Sequence, residues 1–207
     1  MIYQSDDYLV KYQDTLGYLI GRATEEKFSY SFIEKSISYS KTFVQFEMSN
    51  VTDIAFSSME KIYFDIFPSY KTNEYEYNPY SIYGWLGYAY INLFLHFKIT
   101  FETLFIIFPI KEALEKYVVY HEMDITHLFR FIEEKARYSY LDLIMKDREI
   151  SSATLSKHTG IPFATLQALR YGKRDILKLE SFKVLKLSKE LNVKMESILS
   201  NINLELD

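Results

Sequence analysis

The sequence predicts an all-α, mostly helical protein, with an N-terminal helical domain and a C-terminal five-helix domain containing a helix-turn-helix. Three observations predict this. Apolar residues recur at helical spacing in one segment after another. Ser, Thr and Asp stand where those segments begin, and Pro or Gly where they end. Near the C-terminus, two short helical patterns are joined by a glycine turn of the length that a helix-turn-helix uses.

Along the chain, Tyr8, Leu9, Tyr12, Leu16, Leu19 and Ile20 define a first helix. A second runs from about Ser29 into the forties, with Phe32, Ile33, Ile37 and Phe43 on its inner face. A short one over Ser58 to Phe67 groups Met59, Ile62, Tyr63 and Ile66, and Pro68 stops it. The stretch Pro68 to Ser81, bounded by prolines and rich in Asn, Ser and Tyr, reads as a loop.

The apolar segment "SIYGWLGYAYINLFLHFKITFETLFIIFPI" follows. It falls short of the roughly 18–20 uninterrupted apolar residues a membrane span needs. It also contains Asn92 and His96, with Lys98 next, so it reads as a buried core helix. Thr100 then caps a short helix ending at Pro109. Ile110 to Tyr120 forms another, and Asp124 starts one that displays Leu128, Phe131 and Ile132 and leads toward the C-terminal module.

With 48% hydrophobic and 25% charged residues, the chain can bury a real core. The 19 Tyr and 16 Phe are scattered and not interleaved with Lys or Arg, so they read as core residues, not as a stacking surface for single strands. There are no cysteines, which excludes disulfides, thiolate zinc sites and cysteine nucleophiles and fits a reducing, cytoplasmic setting. The start "MIYQSDDYLVKYQD" lacks the basic and apolar runs of a signal peptide. The net charge of −4 hides a split. From Ser151 to Lys194 nine cations face three anions, a net of +6, so the rest of the chain carries −10.

No chemistry of catalysis or cofactor binding is expected. His121 and His127 lie six residues apart, which is about 240° around a helix and not the one-face spacing of a zincin. No phosphate-cradling glycine loop, nucleophile elbow or recognisable carboxylate pair stands out, so catalytic residues, metal and cofactors are all predicted to be none.

The module itself begins at Ile150. Ser151 or Ser152 caps a helix over Ala153 to His158, and Gly160 ends it in the left-handed conformation. Ile161 plugs the turn, Pro162 opens the next helix, Leu166 and Leu169 face inward, and Gly172 closes it. A longer helix with Phe182, Leu185 and Leu191 inward follows, then a last short one near Leu199, with Asn192–Val193 between them.

The stretch "LSKHTGIPFATLQALRYGKRDI…LSKELNVKMESIL" resembles the helix-turn-helix domain of Cro/repressor-type (Xre) regulators. Leu155, Gly160, Ile161, Thr165, Leu166, Leu169, Gly172, Lys173, Leu187, Leu191, Val193 and Leu199 carry the likeness, over about the last third of the chain. It implies a lambda-repressor-like fold whose second helix enters the DNA major groove. By the same resemblance, Phe163, Ala164, Thr165 and Ala168, with Gln167 beside them, would meet bases. Ser151 and Ser152 would face phosphate, and Lys173 and Arg174, assisted by Arg170, would grip the backbone. Phe163 and Ala164 depart from the Arg, Gln or Asn that make bidentate purine contacts, so the expected readout is T-rich, apolar and modestly selective.

A weaker likeness lies in the middle of the chain. Gly84, Trp85, Ala89, Tyr90, Tyr120, His121, Glu122 and Asp124 stand in a segment similar to those of small proteins from bacterial toxin–antitoxin operons. The expected organisation is an acidic, aromatic-rich domain over residues 1–135, for partner binding or dimerisation, and a DNA-binding domain over 136–207. The expected function is a homodimeric, DNA-binding repressor of its own operon, with a toxin as a candidate protein partner. The alternatives are a protein-interaction module whose helix-turn-helix no longer binds DNA, and a toxin enzyme with its site in the N-terminal domain.

Overall fold

The computed structural model describes residues 6–49, 52–67, 75–135 and 139–199, and every regular element among them is helical. The chain divides into two compact units, Met1–His127 and Leu128–Asp207.

In the first unit, α1 (Asp6–Glu25) is followed by α2 (Tyr30–Tyr39), α3 (Lys41–Glu47), α4 (Thr52–Phe56) and α5 (Met59–Ile66). Then come α6 (Ile82–Phe97), α7 (Phe101–Ile107) and α8 (Ile110–Tyr120). The helix expected from Ser29 into the forties is two helices. Ser40 sits in extended backbone between them, and its hydroxyl accepts from Phe43 N, so one serine ends α2 and caps α3. A side-chain acceptor next to the backbone competes with helix continuation, and periodicity alone does not register that. Ile33, Ile37 and Phe43 are buried as expected, whereas Phe32 is exposed.

α1 lies along α6, and glycines set how closely. A methyl group on Gly87 would stand 2.0 Å from the Gln13 carbonyl oxygen, and one on Gly17 would stand 2.6 Å from that of Tyr83. The backbones therefore touch where a side chain would hold them apart. Part of the stretch read as a loop is also packed on α1. Tyr75 stacks edge-on against Tyr18 at 5.3 Å, and the Tyr77 hydroxyl donates to Asp14 at 3.2 Å. Burial, reinforced by the Glu25 charge, pushes the Tyr75 phenol up to about 12. Residues 68–74 of that loop lie outside the described residues.

The aromatics supply the core. Phe101 stacks on Phe94 at 5.0 Å and meets Phe43 edge-on at 5.0 Å, while Tyr12 packs edge-on against Phe46. Distant carboxylates and hydroxyls satisfy helix ends inside this core. Glu47 accepts from Phe101 N and Glu34 from Ile110 N, each at 2.7 Å, and the Tyr90 hydroxyl donates to the Phe108 carbonyl. No single described helix is long and apolar enough to cross a membrane. α6 and α7 meet the length and apolarity criteria only as a pair, bent by 111°. α6 is largely buried within the unit.

The helix α9 (Ile125–Lys135) runs across the division between the units, which lies earlier than the expected boundary at 135/136. Asp124 precedes it and accepts from Thr126 N at 2.9 Å. The second unit continues with α10 (Tyr140–Asp147), α11 (Ser152–Thr159) and α12 (Phe163–Arg170). A 3₁₀ turn over Ile176–Lys178, α13 (Ser181–Leu191) and α14 (Met195–Leu199) complete it.

Replacing Gly87 by Ala is expected to lower the unfolding free energy by about 1–3 kcal/mol, because a backbone carbonyl cannot rotate away as a side chain can. Chemical denaturation of the full chain measures it.

Candidate nucleic-acid interface

Two turns of the same construction frame the helix-turn-helix. After α11, Gly160 adopts φ +72°, and the Ser156 hydroxyl donates to the Ile161 carbonyl at 2.7 Å. After α13, Asn192 adopts φ +51°, and the Ser188 hydroxyl donates to the Val193 carbonyl at 2.6 Å. Ile161 and Val193 are both buried. Each turn thus reverses the chain on a left-handed residue, plugs the corner with a β-branched side chain and satisfies its carbonyl from the preceding helix. The two helices are also joined directly. Lys186 donates to the Thr159 carbonyl at 2.9 Å, placing a cation at the C-terminus of α11, and His158 pairs with Glu190.

α12 rests on this frame. Ser151 caps α11, accepting from Thr154 N at 3.1 Å. Pro162 is the residue before α12, not its first helical residue, and its carbonyl accepts from Leu166 N at 3.0 Å. Leu166 and Leu169 are buried behind the helix. On the other side Phe163 is 50% exposed and Ala164 is exposed, with Thr165, Gln167 and Ala168 half-buried. Gly172, at φ +67°, ends the segment, and Arg174 N donates to the Ala168 carbonyl at 3.0 Å. The Lys173 and Arg174 side chains project into solvent just beyond.

Two residues expected to face DNA are held elsewhere. Ser152 is only 3% exposed, and its hydroxyl meets the Arg170 guanidinium at 3.5 Å. It is the first residue of α11 and not its cap, so its side chain points into the unit while that of Ser151 stays outside. Arg170 pairs with the buried Asp142 carboxylate, whose other oxygen takes Lys146 at 2.6 Å. Helical spacing gave no signal for this, because the partner lies 28 residues earlier.

Phe182 is also not on the inner face expected for it. Val184, Leu187, Ser188 and Leu191 form the inner face of α13, and Phe182 is 63% exposed with Lys186 Nζ 4.8 Å above its ring. Val184, Leu187 and Leu191 recur at i, i+3 and i+7. Phe182 lies nine residues from Leu191, about 180° around the helix, and so cannot share its face. Among the cations, Lys183 pairs with Glu180, and that bond, with the Lys183 charge, holds the Glu180 carboxyl below its usual range. Lys178, which the sequence offered only as part of the charge total, is exposed on the 3₁₀ turn beside Lys173 and Arg174 in the chain. Buried Ile176 and Leu179 flank Leu177 and Lys178, turning this pair outward.

Among the described residues, no group of three or more His, Asp or Glu is placed to hold a metal ion. His121 ends α8 and stacks on Tyr117 at 4.3 Å, which gives it a local packing role.

Residues 140–202 match the family model of the Cro/C1-type HTH DNA-binding domain, so the C-terminal unit carries that domain. The match starts at the first residue of α10 and takes in α11 through α14. Comparison of the chain with curated proteins and with solved structures gave no match.

The plug and the exposed phenylalanine should separate in a mutational test. Ile161→Ala is expected to cost about 2–5 kcal/mol of stability as a core truncation. Phe163→Ala should stay within about 0.5 kcal/mol of the parent. Thermal unfolding of the two variants checks both.

Proposed function

We propose that this protein is a transcriptional regulator that binds double-stranded operator DNA as a homodimer through α12. The observation that supports it is the division of α12 into two faces. Leu166 and Leu169 fasten it to the unit, while Phe163, Ala164 and, in part, Thr165, Gln167 and Ala168 remain open at its start. Exposed Lys173 and Arg174 follow where a sugar–phosphate backbone would run, and Ser151 stands at the start of α11. Phe163 and Ala164 suit thymine methyl groups, and Thr165 and Gln167 add hydrogen bonds. Two copies on half-sites about one helical turn apart would raise the affinity of so small a contact surface.

The first unit serves in this reading as the partner-binding or dimerising part. The likeness of its middle segment to proteins of toxin–antitoxin operons makes the finer form of the proposal an antitoxin that represses its own operon. A toxin gene beside this one, whose product binds the chain, supports that form; a neighbourhood without one removes it.

A second reading, a protein-interaction module that does not bind DNA, draws on Leu177 and Phe182, which are 58% and 63% exposed on the same unit. Salt separates the two. Fluorescence anisotropy with the gene's upstream region should show affinity falling steeply as salt rises. The Lys173→Ala/Arg174→Ala variant should bind more weakly, with a log–log salt slope smaller by about two. Absence of binding at low salt would favour the interaction module. In a mapped operator, replacing A·T pairs by G·C is expected to cost about 1–3 kcal/mol per contacted position, and dominance by G·C positions would refute the apolar readout.

A further inference from the structure

We infer that Ser139 and Asp142, at the start of α10, are positioning residues that set the angle of α12 on DNA, an inference that rests on the DNA-binding reading above. Three bonds converge on one residue. The Ser139 hydroxyl donates to the Arg170 carbonyl at 2.6 Å. The Asp142 carboxylate, buried at 1% exposure, accepts from Arg170 Nε, and Arg170 Nη1 reaches Ser152. Arg170 is the last residue of α12, so that helix is gripped at its C-terminal end by side chain and main chain together. At the other end the Ile161 plug holds it, through the bond from Ser156 and a second from Ile161 N to the Thr159 hydroxyl.

The grip matters because α12 is short. Its eight residues span roughly 12 Å, so a tilt of about 10° moves one end by about 2 Å. Contacts to base edges tolerate about 0.5 Å. Phe163 and Ala164 have no bidentate hydrogen bonds with which to pull the helix back into register, so their fit to thymine methyls depends on how the scaffold holds it. The phosphate contacts depend on it less. Lys173 and Arg174 are long side chains beyond Gly172 and can follow the backbone through a small tilt. Loss of the grip should therefore remove base preference while leaving phosphate binding in place.

The test uses the full-length protein, an A·T-rich duplex and a G·C-rich duplex, with anisotropy read over a salt series. Ser139→Ala deletes only a hydroxyl, and Asp142→Asn keeps the shape while removing the charge. Both are expected to lose about tenfold in affinity for the A·T-rich duplex and to approach equal binding of the two duplexes. Their salt slopes should match the parent's, and their circular dichroism should stay helical. Ser139→Thr, which retains the hydroxyl, should restore the preference. Lys146→Ala, which removes the solvent-side partner of Asp142 and leaves Arg170 held, should keep it. If Asp142→Asn does not fold, the Ser139 pair decides. A parent that prefers A·T-rich DNA while Ser139→Ala keeps that preference in full overturns the inference alone. A parent that binds neither duplex overturns the DNA-binding reading, and the inference with it.

Discussion

The buried pair between Asp142 and Arg170 is the constraint on which the C-terminal unit turns. A carboxylate out of contact with water is tolerable only when its oxygens are engaged by cations or donors, and both of these are. The pair joins α10 to the end of α12, and Ser152 and Ser139 attach to the same arginine. Loss of Arg170 would leave Asp142 with Lys146 alone, and loss of Asp142 would leave the Arg170 guanidinium without its carboxylate. It also takes Arg170 out of the cations available to phosphate. Lys183 and Lys186 are engaged as well, by Glu180 and by the Thr159 carbonyl. The net +6 of the segment already subtracts Glu180 but not Asp142, so the Arg170 pair lowers it by one. Lys173, Arg174 and Lys178 stay exposed, as do Lys157 and Lys189.

The second organising device is the repeated corner. Ser156, Gly160 and Ile161 recur as Ser188, Asn192 and Val193. Glycine takes the left-handed position without a Cβ penalty, and asparagine tolerates it. Because the helices before both corners, α11 and α13, pack on each other, with His158 on one paired to Glu190 on the other, the corners are fixed relative to one another. The result is a rigid seat for α12, and under the proposed reading a helix that meets bases with few hydrogen-bonding side chains has particular need of one.

The first unit solves a different problem. Its core is aromatic, and ring pairs favour offset-stacked or edge-to-face arrangements. Gly17 and Gly87 permit the close approach of α1 and α6, and Phe43, Phe94 and Phe101 fill the space beside them edge-on or stacked. Carboxylates from α2 and α3 then complete the starts of α8 and α7.

The sequence by itself determined the helical class, the places of most helices and the helix-turn-helix. Each of these rests on local physics: apolar periodicity, a capping hydroxyl, a proline that stops a helix, a glycine that alone takes φ of +72° cheaply. Even so, the local reading missed at Ser40, which splits one expected helix into two, and on α13, where the expected inner set joined Phe182 to Leu191 on the opposite face. Only the tertiary structure decided which members of the candidate site are open to a ligand. It exposed Phe163 and Ala164, buried the Ser152 hydroxyl and committed Arg170 to Asp142. Those outcomes depend on residues far apart in the chain brought within bonding distance, and no rule that reads neighbours along the sequence contains them.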